Sequence, residues 1–146
     1  MITQKNSNMQ YKKKIIKFFL INILKILKKE NNLITKKINY ISKKKHITDP
    51  VTKFDILIEK KIRKSIINKF PTHNIIGEEL PDILNDSDNS WVIDPIDGTK
   101  ALIAGQPTWS NLVGFNYKGY PLLGLANYPI LKKYYFSDGK KSYVIE

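Results

Sequence analysis

The sequence predicts an α+β fold in which N-terminal helices pack on an antiparallel sheet. Two observations carry this expectation. Apolar residues recur at helical spacing only in the first 70 residues, whereas strand pairs with turn signals occupy the stretch after Leu112. The order helix, helix, then strands and hairpins also departs from the alternation of a βαβ sheet. At 146 residues the chain reads as one domain, long enough to bury a core.

The elements follow in order. Ile16, Phe19, Leu20, Ile23 and Leu27 recur at three and four residues, the spacing of an amphipathic helix. Lys17, Asn22 and Lys25 interrupt this apolar stretch and no small-residue cleavage pattern follows, so it fits neither a signal peptide nor a membrane span. A helix packed on the core is the plain reading; a membrane-surface helix flanked by Lys12–Lys14 is the alternative. Ile38 to Ile41 reads as a short strand. Thr52 and Asp55 look like an N-cap with an acid at the third position, opening a helix in which Ile58, Ile62, Ile66 and Phe70 recur. Pro71 stops it. Asn74 to Ile76 is a brief strand ending at Gly77, Pro81 to Ser90 a polar surface loop, and Trp91 to Ile93 a buried strand. Leu112–Tyr117 and Leu122–Tyr128 form one hairpin; Lys132–Phe136 and Ser142–Val144 form a second around Asp138-Gly139. His46 and His73 read as surface or loop residues.

The chain contains no cysteine, which removes disulfides, zinc ribbons, iron–sulfur clusters and thiol catalysis and fits a reducing, cytoplasmic setting. Lys and Arg number 25 against 13 Asp and Glu, a net charge of +12. Residues 1–70 hold 19 of the cations and four acids, net +15; residues 71–146 hold six lysines and nine acids, net −3. The basic run reads as a solvated surface. It lacks the aromatic interleaving of a nucleic-acid binder, so no nucleic-acid partner is expected.

The acidic half carries the chemistry. Glu78 and Glu79 follow one predicted strand, and Asp94 and Asp97 follow another, which exports carboxylates to the rim of a sheet. In Asp94-Pro95-Ile96-Asp97-Gly98-Thr99 the proline stiffens the turn and the glycine permits close approach or positive φ. Carboxylates three apart on such a turn can meet a hard divalent cation. A short helix opening at Thr99 would present free N–H groups to a phosphate. Taken alone, Asp-Pro-x-Asp-Gly reads first as an ordinary turn with Asx caps; its conjunction with Gly77-Glu78-Glu79 and Thr52-x-x-Asp55 changes that weighing.

Three segments together resemble the inositol monophosphatase superfamily: Val51-Thr52-Lys53-Phe54-Asp55, Gly77-Glu78-Glu79, and Trp91-Val92-Ile93-Asp94-Pro95-Ile96-Asp97-Gly98-Thr99. The resemblance runs from about Ile15 to the end. Gly105-Gln106-Pro107-Thr108-Trp109 and Gly119-Tyr120-Pro121-Leu122-Leu123-Gly124 are most similar to the histidinol-phosphate phosphatase branch. Phe54 stands where the family usually carries a small residue.

The resemblance implies an incomplete layered α/β sandwich of the inositol monophosphatase type, with residues 1–146 as its N-terminal, metal-binding part and the C-terminal part absent. It implies a magnesium-dependent phosphomonoesterase using two or three Mg2+ ions, in which an activated water attacks phosphorus. Histidinol phosphate is the first substrate it suggests and an inositol phosphate the second; a noncatalytic, metal-binding remnant is a third outcome. Glu78 and Asp94 would hold the first ion with the carbonyl of Ile96, and Asp94 and Asp97 the second. Glu78 and Thr99 would hold and activate the water. Asp55 would brace Thr99 and help hold a third ion, and the amides of Gly98 and Thr99, beside Asp97, would cradle the phosphate. Glu79 would stand behind the ligands. For a full-length protein the resemblance also implies a homodimer. The family's later Trp-Asp ligand has no counterpart, since Trp91 and Trp109 precede Val92 and Ser110.

Overall fold

The computed structural model describes residues 2–41 and 49–145, with side chains described for 9–35 and 53–145. His46 and the side chain of Thr52 lie outside them. One helical rod begins the chain: α1 (Ile2–Phe18), a π-helical turn (Phe19–Ile23) and α2 (Leu24–Ile41). Phe18 and Leu24, which flank the turn, keep right-handed helical dihedrals, so the rod is continuous through it. The expected strand over Ile38–Ile41 is therefore corrected to the last turn of α2. Ile38 and Ile41 stand three apart, a spacing that suits a helix better than the two-residue period of a strand.

Helix α3 (Asp49–Lys69) begins ahead of Thr52, which lies inside it and is not the N-cap. Pro50 sits at its second position, where a missing N–H costs nothing. Ile58, Ile62 and Ile66 are fully buried along one stripe, as their spacing requires. The lysines on the opposite faces of α2 and α3, including Lys25, Lys28, Lys29, Lys60 and Lys64, are exposed. No helix of the described residues is long and apolar enough to cross a membrane.

Six strands form one sheet in sequence order: β1 (Asn74–Gly77), β2 (Asn89–Asp97), β3 (Ser110–Tyr117), β4 (Tyr120–Tyr128), β5 (Lys133–Ser137) and β6 (Ser142–Ile145). All pairs are antiparallel except β1 and β2. That parallel pair departs from the all-antiparallel expectation. The chain leaves β1, bridges back along its outer edge through Ile83, whose N–H and C=O both bond Ile75, and then re-enters as β2. Both hairpins lie where the turn residues put them, with Gly119 and Gly139 at φ +79° and +81°.

The helices cover one face of the sheet. Trp91, Ile93, Val113, Phe115, Leu123, Leu125 and Phe136 meet Ile15, Phe18, Phe19, Ile23, Leu27 and the α3 stripe there. Trp91 is fully buried among Phe18, Phe19, Phe70 and Phe115, with ring centroids 5.0–5.8 Å away.

His73 belongs to this core, which corrects its reading as a surface residue. It is 5% exposed and stacks on Phe70. Trp91 Nε1 donates to His73 Nδ1 at 2.9 Å. An indole nitrogen can only donate, so Nδ1 is unprotonated and the ring proton sits on Nε2, which donates to the Tyr11 hydroxyl at 2.7 Å. A second ring proton would face the indole N–H. Burial, and then the positive charge of Lys14, push the His73 pKa down to about 4. Below about pH 6.5 an unfolded His73 takes up a proton that the folded one refuses, so its contribution to stability falls as pH drops from 6.5 towards 4. The expected slope is up to about 1.4 kcal/mol per pH unit. The test is urea unfolding of wild type and His73→Gln at pH 7 and pH 4.5. Equal pH dependence in the two proteins would refute the assignment.

Candidate metal and phosphate site

Helix α3 and the adjoining ends of β1 and β2 set the acidic cluster. Gly77 closes β1 against α3, and any Cβ there would collide with the Glu59 carboxylate and the Arg63 guanidinium. These two side chains are 0% and 5% exposed. Arg63 Nε donates to Glu59 Oε1 at 2.7 Å, Nη1 to the Pro81 carbonyl at 2.8 Å and Nη2 to the Leu80 carbonyl at 2.8 Å. Glu59 Oε2 accepts the Glu79 amide at 2.9 Å. The pair thus clasps the backbone of 79–81, while the Glu78 amide bonds the Ile93 carbonyl across β1 and β2. Glu78 and Glu79 are thus held beside β2 through their own main-chain amides, which leaves their carboxylates out of these bonds.

Asp94 lies within β2 at its irregular end, not after it as the sequence suggests. Its carboxyl faces that of Glu78. Burial first, then Glu78 and the charge of Asp97, push its pKa up to about 7. Asp55 projects from α3 and is 4% exposed. Burial, then the charges of Glu79, Asp94, Glu78 and Glu59, lift it to about 7 as well. Glu79 is raised by burial and by Glu78 and Glu59. Buried oxygens of Asp55 and Asp94, one Oδ1 each, have no hydrogen-bond partner.

Asp97 and the residues after it complete the rim. Asp97 Oδ2 accepts the Ser110 hydroxyl at 3.1 Å. Thr99 Oγ1 donates to the Ile96 carbonyl at 3.2 Å. Gly98 has φ +82°, a conformation that favours glycine, and opens the short helix α4 (Thr99–Ile103). The first bond of α4 runs from the Leu102 amide to the Gly98 carbonyl, which leaves the earlier amides outside its ladder.

Asp55 lies within electrostatic reach of Glu78, Glu79 and Asp94, and Asp94 in turn within reach of Asp97. Among the described residues, however, no three His, Asp or Glu side chains converge tightly enough to chelate an ion as they stand. Glu78 and Asp97 are exposed and can turn, so closing the set takes rotation of side chains on a fixed backbone. The donors are all oxygen, which suits a hard divalent cation. The two unpartnered buried oxygens and the raised carboxyls carry a cost that such an ion relieves. The residues present therefore fit Mg2+.

The inositol monophosphatase family model matches residues 13–146. The chain belongs to the inositol monophosphatase family. Among curated relatives, the chain is 42% identical over 101 residues to the bifunctional phosphatase IMPL2, chloroplastic, of Arabidopsis thaliana, covering 64% of this chain and 29% of that protein. It is 37% identical over 89 residues to the histidinol-phosphatase of Chlorobaculum parvum, covering 61% of this chain and 34% of the relative. Of solved structures, inositol monophosphatase-II from Staphylococcus aureus superposes with a TM-score of 0.74 at 26% identity, over 89% of this chain and 47% of that one. The matches thus span about a third of the curated relatives and about half of the solved chain.

Several residues of this candidate site escape sequence reading. Glu59 and Arg63 stand four apart on α3, a spacing that marks an ion pair but not what it clasps. Ser110, Asn111, Asn31 and Asn127 meet the Asp94–Asp97 segment, or one another beneath it, only through the fold.

Proposed function

We propose that the chain is the metal-binding part of a Mg2+-dependent phosphomonoesterase acting on histidinol phosphate. The observation that supports it most is the pair of buried carboxylate oxygens without partners, one on Asp55 of α3 and one on Asp94 of β2, each within electrostatic reach of Glu78. Glu78, Asp94, Asp97 and the Ile96 carbonyl would hold two ions, with Asp55 near a third. When bound, Mg2+ neutralises phosphate charge and lowers the pKa of water. Glu78 would accept the proton of the attacking water and the Thr99 hydroxyl would orient that water, while the ester P–O bond breaks and the departing alkoxide takes a proton from solvent. The Gly98 and Thr99 amides hold the phosphate oxygens in line with the attack. Histidinol phosphate is favoured by the Gly105–Trp109 and Gly119–Gly124 segments and by the similarity to histidinol-phosphatases. Similarity to fructose-1,6-bisphosphatase/inositol-1-monophosphatase keeps an inositol phosphate as the competing substrate.

Titration calorimetry with Mg2+, together with phosphate release from L-histidinol phosphate and myo-inositol 1-phosphate, tests this on the chain. The expected result is Mg2+ binding and faster release from histidinol phosphate. Faster release from inositol phosphate would overturn the substrate. Binding without turnover of either would reduce the chain to a metal-binding remnant, and no binding would sink the site.

A further inference from the structure

The irregular end of β2 poses a geometric problem. Asp94 pairs with Leu112 of β3, and Asp97 pairs with Ser110. Two residues of β2, Pro95 and Ile96, therefore stand opposite one of β3, Asn111. A bulge of this kind interrupts the ladder and leaves backbone groups without their usual partners. Pro95 has no N–H, and its buried carbonyl has no ladder donor.

The side chain of Asn111 supplies that donor. Its Nδ2 donates to the Pro95 carbonyl at 2.6 Å. Its Oδ1 accepts from Asn127 Nδ2 at 2.6 Å and from Asn31 Nδ2 at 2.8 Å. Asn111 Nδ2 also reaches Asn31 Oδ1 at 3.4 Å. The three side chains are 0%, 1% and 3% exposed, and they come from β3, β4 and α2. The carbonyl can only accept, so the nitrogen of Asn111 must face it and its oxygen must face the other two amides. One carbonyl thus fixes the sense of the whole network. Asn127 Oδ1 remains buried without a partner, a cost that a network serving stability alone would avoid.

The Pro95 carbonyl lies in the same rigid peptide plane as the Ile96 amide. Holding it sets the direction in which Asp94 leaves on one side and Ile96 and Asp97 on the other. We infer that Asn111, braced by Asn31 and Asn127, is a positioning residue: it locks the Pro95–Ile96 peptide and so fixes the relative aim of Asp94, the Ile96 carbonyl and Asp97. The metal consequence rests on reading those three as Mg2+ ligands; the locking of the peptide does not.

The test uses Asn111→Asp, which keeps the shape but turns the donor into an acceptor facing the carbonyl. Two readouts are taken on the 146-residue chain. Amide hydrogen exchange without metal is expected to quicken at least about tenfold at Ile96, Asp97 and Thr99, while Leu125 and Phe136 in the β4–β5 ladder stay at wild-type rates. Mg2+ affinity by calorimetry is expected to fall about 10–100-fold, the usual effect of removing a partner behind a ligand. Asn127→Ala removes one brace and spares the donor; it is expected to move both readouts the same way by less, and it serves if Asn111→Asp does not fold. Wild-type exchange at Ile96, Asp97 and Thr99 in a folded variant would overturn the inference. If wild type itself binds no Mg2+, the ligand reading fails and exchange alone decides the positioning role. Quickened exchange with unchanged Mg2+ affinity would overturn the link from peptide to ligands.

Discussion

Replacing Arg63 by alanine is expected to destabilise the chain by about 3–5 kcal/mol, the cost of stranding a buried carboxylate. Glu59 has no exposure and would keep only the Glu79 amide as a donor. The carbonyls of Leu80 and Pro81 would lose their donors at the same time. Against a typical total stability of about 5–15 kcal/mol, such a loss brings unfolding close to ambient conditions. Arg63→Lys is expected to recover little, because an ammonium cannot reach a carboxylate and two carbonyls from one planar fork. The double variant Glu59→Gln with Arg63→Ala is expected to be milder than Arg63→Ala, since the charge left behind is gone. Urea unfolding of the three variants measures this. A loss under 1 kcal/mol for Arg63→Ala would show that the clasp on 79–81 is not structural.

Asp94→Asn is expected to separate binding from stability in opposite directions. The amide removes a charge from the point where burial, Glu78 and Asp97 all oppose one. The metal-free variant is therefore expected to melt above wild type, a common outcome where a site is built at the expense of the fold. As the ligand proposed to serve both ions, Asp94 is expected to be indispensable for binding. Mg2+ affinity should drop by more than about 100-fold, beyond the loss typical of residues behind a ligand. Phosphate release should vanish with it. Thermal melts with and without Mg2+ read both effects. A variant that melts lower without metal, or keeps wild-type Mg2+ affinity, would refute the placement of Asp94 at the centre of the cluster.

The candidate site was legible because its residues stand in contiguous motifs. Asp94 to Thr99 is a turn whose proline and glycine mark it, and the hairpins after Leu112 announce themselves through Lys118-Gly119 and Asp138-Gly139. The stripe of Ile58, Ile62 and Ile66 likewise predicts its own burial. What escaped depends on partners distant in sequence. Asn31 and Asn111 meet across 80 positions, and nothing local separates a buried network asparagine from a loop asparagine. His73 follows Pro71-Thr72, a turn-like context, yet Tyr11 and Trp91 draw it inside. Gly77 owes its identity to Arg63 and Glu59 on another element, and not to its own dihedrals.

The π-helical turn at Phe19–Ile23 acts as a phase correction on the long N-terminal rod. A π turn is equivalent to one residue inserted into an α-helix. At about 100° per residue, Ile34 would lie roughly 100° around an unbroken helix from Ile15; discounting one residue brings the two into line. Both are fully buried. Without that correction, the stripe leading into the turn and the stripe leaving it could not face the same sheet. Asn31 lies on the second stripe, so the bracing of Asn111, and through it the Pro95 peptide, depends on a single surplus residue far from any carboxylate.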